Sequence, residues 1–122
     1  TAILNNKQIM NEVLHDKSKE LKQLDVSVLH SVILDKTLGI DKKKLEQGTM
    51  KGEGYVVYIK GIGDAVDEAI AKVRSDAQAV FFMNPTRIEE VEAVATNFEC
   101  MPQKSTFFYP KVWTGFTINL IK

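Results

Sequence analysis

The stretch "MPQKSTFFYPK", residues 101–111, gathers side chains that can do chemistry. Lys104, Ser105 and Thr106 set one ammonium and two hydroxyls in succession. Such a run offers several donors to one small anion, a phosphate or a carboxylate. A nucleotide-binding P-loop needs more: glycines that let backbone N–H groups wrap the phosphates, and a lysine and hydroxyl that open a helix. No such glycine pair precedes Lys104, and Pro102 withholds a donor, so a P-loop is excluded. The competing reading is structural: Ser105 and Thr106 bond local backbone while Lys104 is paired at the surface. Phe107, Phe108, Tyr109 and Trp113 suit core and corner packing, or else Tyr109 and Lys111 line a pocket mouth. Pro102 and Pro110 fix φ at both ends, which holds the stretch in one shape under either reading.

His30 is a further candidate, as a ligand contact or as a core-edge histidine donating to a carbonyl. Asp25 lies five residues before it, a rotation of about 140° on a helix, so the two do not form a dyad. Asp25 is more simply a cap. His15 carries no signal, and two histidines without a close carboxylate make a metal site improbable. "GIGD", residues 61–64, falls between a strand-like and a helix-like run, where backbone N–H groups can meet an anion. It lacks the third glycine of a dinucleotide site, and Asp64 would oppose the anion, so turn chemistry is the better account.

The bulk composition narrows the function classes. Lysine plus arginine and aspartate plus glutamate balance at 16 each, which removes the field that collects nucleic acid or anionic membrane without specificity. Lys42, Lys43 and Lys44 form a local patch that reads as a solvated face. Cys100 is the single cysteine, expected as a small semi-buried residue in a reducing, cytoplasmic compartment. No apolar run approaches the ~18 residues that span a bilayer, and no signal peptide is visible. The chain begins "TAILNN", without methionine, which suggests a processed protein or a segment cut from a longer one.

The elements that must position these residues follow from periodicity. Asn5 or Asn6 caps a first helix with Ile9, Val13 and Leu14 on one side. Residues 16–23 are polar, either linker or helix. A helix is predicted over 25–38, with Asp25 as its cap, Gly39 as its stop and a broad apolar arc. A short helix over 41–47 is capped by Asp41, and residues 48–54 form a glycine loop. "YVVYIK", 55–60, and "QAVFFM", 78–83, read as strands, the second buried on both faces. Between them a helix runs over 64–74, with Ala65, Ile70 and Val73 inward. "NPTRIEEVEAVATNF" predicts a helix capped by Thr86, with Glu89 closing a capping box and Ile88, Val91, Val94 and Ala95 inward. "FTINLI", 116–121, reads as a third strand. The whole implies a single α+β or α/β domain, a small sheet of about three strands covered by helices.

Three stretches, "LDVSVLHSVILDKTLGI", "FFMNPT" and "MPQKSTFFYPKVWTGF", together resemble the C-terminal part of a widespread bacterial and archaeal family, domain of unknown function 1015. The likeness covers the chain from about Leu24 onward, and the 101–111 block is its most specific part. It implies an isolated C-terminal segment of a longer protein. A distant likeness extends to ParB-like proteins, some of which phosphorylate free serine. Gly61 and Gly63 depart from the family's pattern and carry no shared role. Two functions follow. In one, this is an accessory segment of a larger, phosphate-handling protein, contacting a small anionic ligand through Lys104, Ser105, Thr106 and Tyr109. In the other, it is an interaction module that docks its own N-terminal region or a second subunit. The segment alone is not expected to be catalytic, and no motif names a cofactor.

Overall fold

Short helices supply the regular structure. The computed structural model describes residues 2–45, 55–60 and 63–107. The first helix, α1, spans Ile9–Val13. The expected Asn5 or Asn6 cap is corrected: Gln8 holds the N-cap position without a side-chain cap, and Asn6 Oδ1 accepts the Gln8 N–H at 3.0 Å just ahead of it. Met10 is the residue that α1 buries, whereas Ile9, Val13 and Leu14 are only half-buried.

Helix α2, Lys19–Gln23, resolves the ambiguous polar stretch. Ser18 caps it: the hydroxyl accepts the Leu21 N–H at 3.1 Å, satisfying one of the open donors of the first turn. Leu24 then leaves helical geometry, and the chain re-enters it as α3, Asp25–Val28. The single helix expected over 25–38 is instead α3 continued by a π-helical stretch, Leu29–Thr37. Bonds reaching five residues back support the wider turn. The Leu38 N–H donates to the Ile33 carbonyl at 3.0 Å, and the Thr37 hydroxyl to that of Val32 at 2.8 Å. Asp25 does not cap; its carboxylate accepts the Asn84 side-chain amide at 2.8 Å. Gly39 ends the stretch at φ 66°, as expected of a glycine stop. Residues 42–45 turn helically behind Asp41, whose Oδ1 accepts the Lys44 N–H at 2.8 Å. Residues 46 and 47 and the glycine loop lie outside the described residues.

Helix α4 spans Ala65–Ser75 and α5 spans Ile88–Thr96. The inward face predicted for α4 is corrected: Ala69 is buried, while Ile70 and Val73 are exposed. The start of α5 shifts by one residue. Glu90, not Glu89, accepts the Arg87 N–H at 2.8 Å, and the guanidinium closes on the same carboxylate at 3.3 Å. Thr86 spends its hydroxyl elsewhere, on the Ser105 carbonyl at 3.1 Å. Of the predicted inner stripe, Val94 is 0% exposed and Val91 half-buried, but Ile88 is 74% exposed and Ala95 is exposed too.

The core lies where α2 meets α5. Leu21, Leu24 and Val94 pack together, with Val26 and Met101 against them. Polar ties close the pair at its edges. The Ser18 N–H lies 3.2 Å from both carboxylate oxygens of Glu99, and the Asn97 amide donates to Glu20 Oε2 at 3.2 Å.

The expected three-stranded sheet is not seen: among the described residues there is no strand. The α+β or α/β expectation is thereby corrected to a helical architecture. Residues 55–60 and 78–83 have the β-branched and aromatic composition of strands. That composition reports fitness for a half-buried pleated surface and needs a cross-strand partner to act. Neither run has one among the described residues, and residues 116–121 lie outside them. Burial of 78–83 on both faces is overturned as well, since Val80, Phe81, Phe82 and Met83 are all exposed, Phe82 at 62%. No helix among the described residues is long and apolar enough to cross a membrane.

Candidate functional site

The loop after α5 is anchored rather than open. Met101 packs on the core, and both the N–H and the hydroxyl of Ser105 donate to the Pro102 carbonyl. The Ser105 carbonyl in turn receives the Thr86 hydroxyl. Of the run Lys104–Ser105–Thr106, Ser105 therefore donates its hydroxyl proton within the loop. Lys104 is exposed and takes a left-handed backbone, φ 59°, which costs a residue with a Cβ about 1–2 kcal/mol. Its ammonium makes no ion pair among the described residues. Thr106 is half-buried. Phe107 faces the Lys60 ammonium, 5.0 Å from the ring centre, a contact that the sequence did not announce. Phe108, Tyr109, Pro110, Lys111 and Trp113 lie outside the described residues, as does Gly61.

His30 sits in the π-helical stretch, half-buried, and burial holds its imidazole pKa below the usual value. Asp25 is engaged with Asn84. Cys100 is exposed rather than semi-buried. A groove along α2 and α5 is lined by Glu20, Glu89, Glu92 and Asn97, a carboxylate wall unsuited to an anion. Among the described residues, no three His, Cys, Asp or Glu side chains are grouped to hold a metal ion.

The most distinctive surface is residues 79–83, Ala-Val-Phe-Phe-Met. Its main chain makes no hydrogen bond with the described residues. Its ends are nevertheless fixed. On one side α4 closes with the Asp76 and Ala77 N–H groups on the Lys72 carbonyl, each at 2.9 Å. On the other, Asn84 ties to Asp25 and Thr86 to Ser105. A run of large apolar side chains with free backbone groups, pinned at both ends, is a template for another chain. Phe98, past the end of α5, adds a ring that is 100% exposed on a residue at φ 56°. The strand-like pattern of 78–83 marked this segment in the sequence; only the fold makes it outward-facing. Phe98 had no sequence signal beyond being aromatic beside a helix end.

No family model, curated protein or solved structure matches the chain. The resemblance described above rests on its three sequence blocks alone.

Proposed function

We propose that this chain is an interaction module that docks another polypeptide through residues 79–83. The observation that carries this reading is the coincidence, in one pinned segment, of exposed Val80, Phe81, Phe82 and Met83 with a main chain free of hydrogen bonds to the described residues. Apolar patches rimmed by polar residues favour protein association, and free N–H and C=O groups favour strand addition. Contact with a small anion through Lys104, Ser105 and Thr106 has less support, because the Ser105 hydroxyl is satisfied by Pro102. The lone cysteine is in keeping with a cytoplasmic setting.

Hydrogen exchange on the purified full chain tests the reading. In the docked state the amides of residues 79–83 exchange at least about tenfold more slowly than in an open chain. Open-chain exchange at every protein concentration removes it.

A further inference from the structure

We infer that helix α4 carries a separate interaction surface, on which a second copy of this chain docks its own α4 antiparallel. The surface does not include residues 79–83, so the inference goes beyond the interaction reading above and does not rest on it.

Val66, Ile70 and Val73 recur at intervals of four and three along Ala65–Ser75, which puts them in one stripe of the helix. The stripe faces solvent: all three residues are exposed, Val66 at 56%. Ala65, Ala69 and Lys72 are the less exposed positions and form the face turned to the rest of the chain. A helix turns about 100° per residue, which sets that face about a quarter-turn round from the stripe. A partner helix therefore lies on the stripe without displacing the chain's own contacts. Apolar residues at this spacing on an uncovered face are the pattern of a helix that packs on another helix.

Charge selects the occupant. Asp67 and Arg74, seven residues apart, flank the stripe along the same edge. Both are exposed, and neither makes an ion pair or a side-chain hydrogen bond among the described residues. A partner helix that satisfies them offers an apolar stripe of its own, with a base beside Asp67 and an acid beside Arg74. A second α4, turned end for end about a two-fold axis near Ile70, offers all three. That axis stands perpendicular to both helices, so the charged edge of one copy adjoins the charged edge of the other. It brings Ile70 to Ile70, and sets Val66 beside the other copy's Val73 and Asp67 beside its Arg74, each within about one residue rise of the same height. A parallel pair would set Asp67 level with Asp67 and Arg74 level with Arg74. The chain's formal net charge is zero, so two copies approach without bulk repulsion. The helix is about 16 Å long and contributes three large apolar residues, so the contact is small and belongs to the weak class of interfaces. Complementary charge at its rim fixes register and orientation more than it adds affinity.

Sedimentation and light scattering of the purified full chain, from about 10 μM to about 1 mM, supply the test. The mass rises with concentration toward that of two chains. Ile70→Glu alters an exposed site and sets two carboxylates against each other at the axis, so it raises the dissociation constant at least about tenfold. Helical circular dichroism equal to the parent's shows that this variant folds. Asp67→Arg and Arg74→Asp each weaken self-pairing at least about threefold, because each sets like charges together at both ends of the contact. Mixed one to one, the two variants restore both ion pairs, and the mixed pair is tighter than either self-pair by at least about threefold. A mixture no tighter than its components overturns the inference, whether or not Ile70→Glu folds. A chain monomeric at about 1 mM overturns it as well, as does a folded Ile70→Glu chain that pairs like the parent. None of these results bears on residues 79–83, whose own test is amide exchange.

Discussion

Two apolar groups in this molecule have opposite fates. Leu21, Leu24 and Val94, drawn from α2, the residue after it and α5, lose nearly all their surface to one another. Val80, Phe81, Phe82 and Met83 form a continuous and larger apolar run, yet all four remain exposed. Hydrophobicity alone does not separate them. What differs is provision for a partner. The buried group is spaced for helices, and its helices are tied at their ends by Ser18 to Glu99 and Glu20 to Asn97. Full burial of a Leu or Val side chain is worth about 1.5–3 kcal/mol, so each exposed ring of the second group leaves a comparable stabilisation to be claimed by association.

The largest expected effects break this contrast directly. Val94→Ala should destabilise the chain by about 2 kcal/mol, through lost contacts and the cavity left in a site with no exposed surface. Phe82→Ser should change the stability of the chain by less than about 0.5 kcal/mol, since its ring is exposed. Urea titrations measure both. Equal costs at Val94 and Phe82 would mean that the two groups belong to one core.

The sequence made the helices easier to read than the surfaces between them. Asp41 and Gly39 were legible because capping and left-handed stops are decided within a few residues. Ser18 has the capping chemistry, but Asp16, Lys17, Lys19, Glu20 and Lys22 around it mask the Leu21 and Leu24 stripe in the sequence. The π-helical stretch was not legible: Leu29–Thr37 has the residues of an α-helix, and hydrogen-bond register is not written in residue type. Residues 55–60 and 78–83 were misassigned for a deeper reason. A strand is a relation between two segments, and β-branched composition reports only one side of it. Within the candidate site the 101–111 run drew attention by its residue types, and the fold turned part of that polarity inward, with Ser105 on Pro102. The more informative surface, 79–83, has the composition of an interior strand.

The next effect in size concerns the tie that closes the buried group. The Glu99 carboxylate meets the backbone N–H of Ser18 at the start of α2, where a negative charge also suits the helix dipole. Glu99→Ala should cost about 1–2 kcal/mol, as expected for a charge-assisted bond in a half-buried setting. Glu99→Gln keeps an acceptor oxygen and should recover part of the loss. A Glu99→Ala chain as stable as the parent would show that apolar packing alone holds α2 to α5.

Smaller again is the contrast between two helix ends. After the π-helical stretch, Gly39 adopts φ 66° and its N–H donates to the Asp35 carbonyl at 3.0 Å. After α5, Phe98 occupies the equivalent place at φ 56°, its N–H on Ala95 at 2.9 Å and the Glu99 N–H on Val94 at 3.2 Å. A Cβ at Gly39 would touch nothing within 4 Å, so Gly39→Ala tests backbone strain alone and should cost about 1 kcal/mol. Phe98→Gly releases about 1–2 kcal/mol of strain and gives back about 0.5–1 kcal/mol in chain entropy. The net is a gain of about 0.5 kcal/mol. That gain would identify the ring as one kept at a cost to the monomer, as a group turned to a partner is.

The smallest effect is a slope. His30 is half-buried, and burial disfavours its charged form, which lowers the folded-state pKa below the unfolded value of about 6.5. The unfolded chain therefore binds the proton more readily, and the His30 contribution to stability is complete above pH 6.5 and falls as the pH drops through the folded pKa. Urea midpoints at pH 7.5 and 5.5 should differ in that direction, with His30→Gln, which cannot gain the proton, removing the difference that His30 supplies. A slope unchanged by His30→Gln would mean that the imidazole reaches water when protonated, and that the π-helical stretch yields locally instead of unfolding with the α2–α5 core.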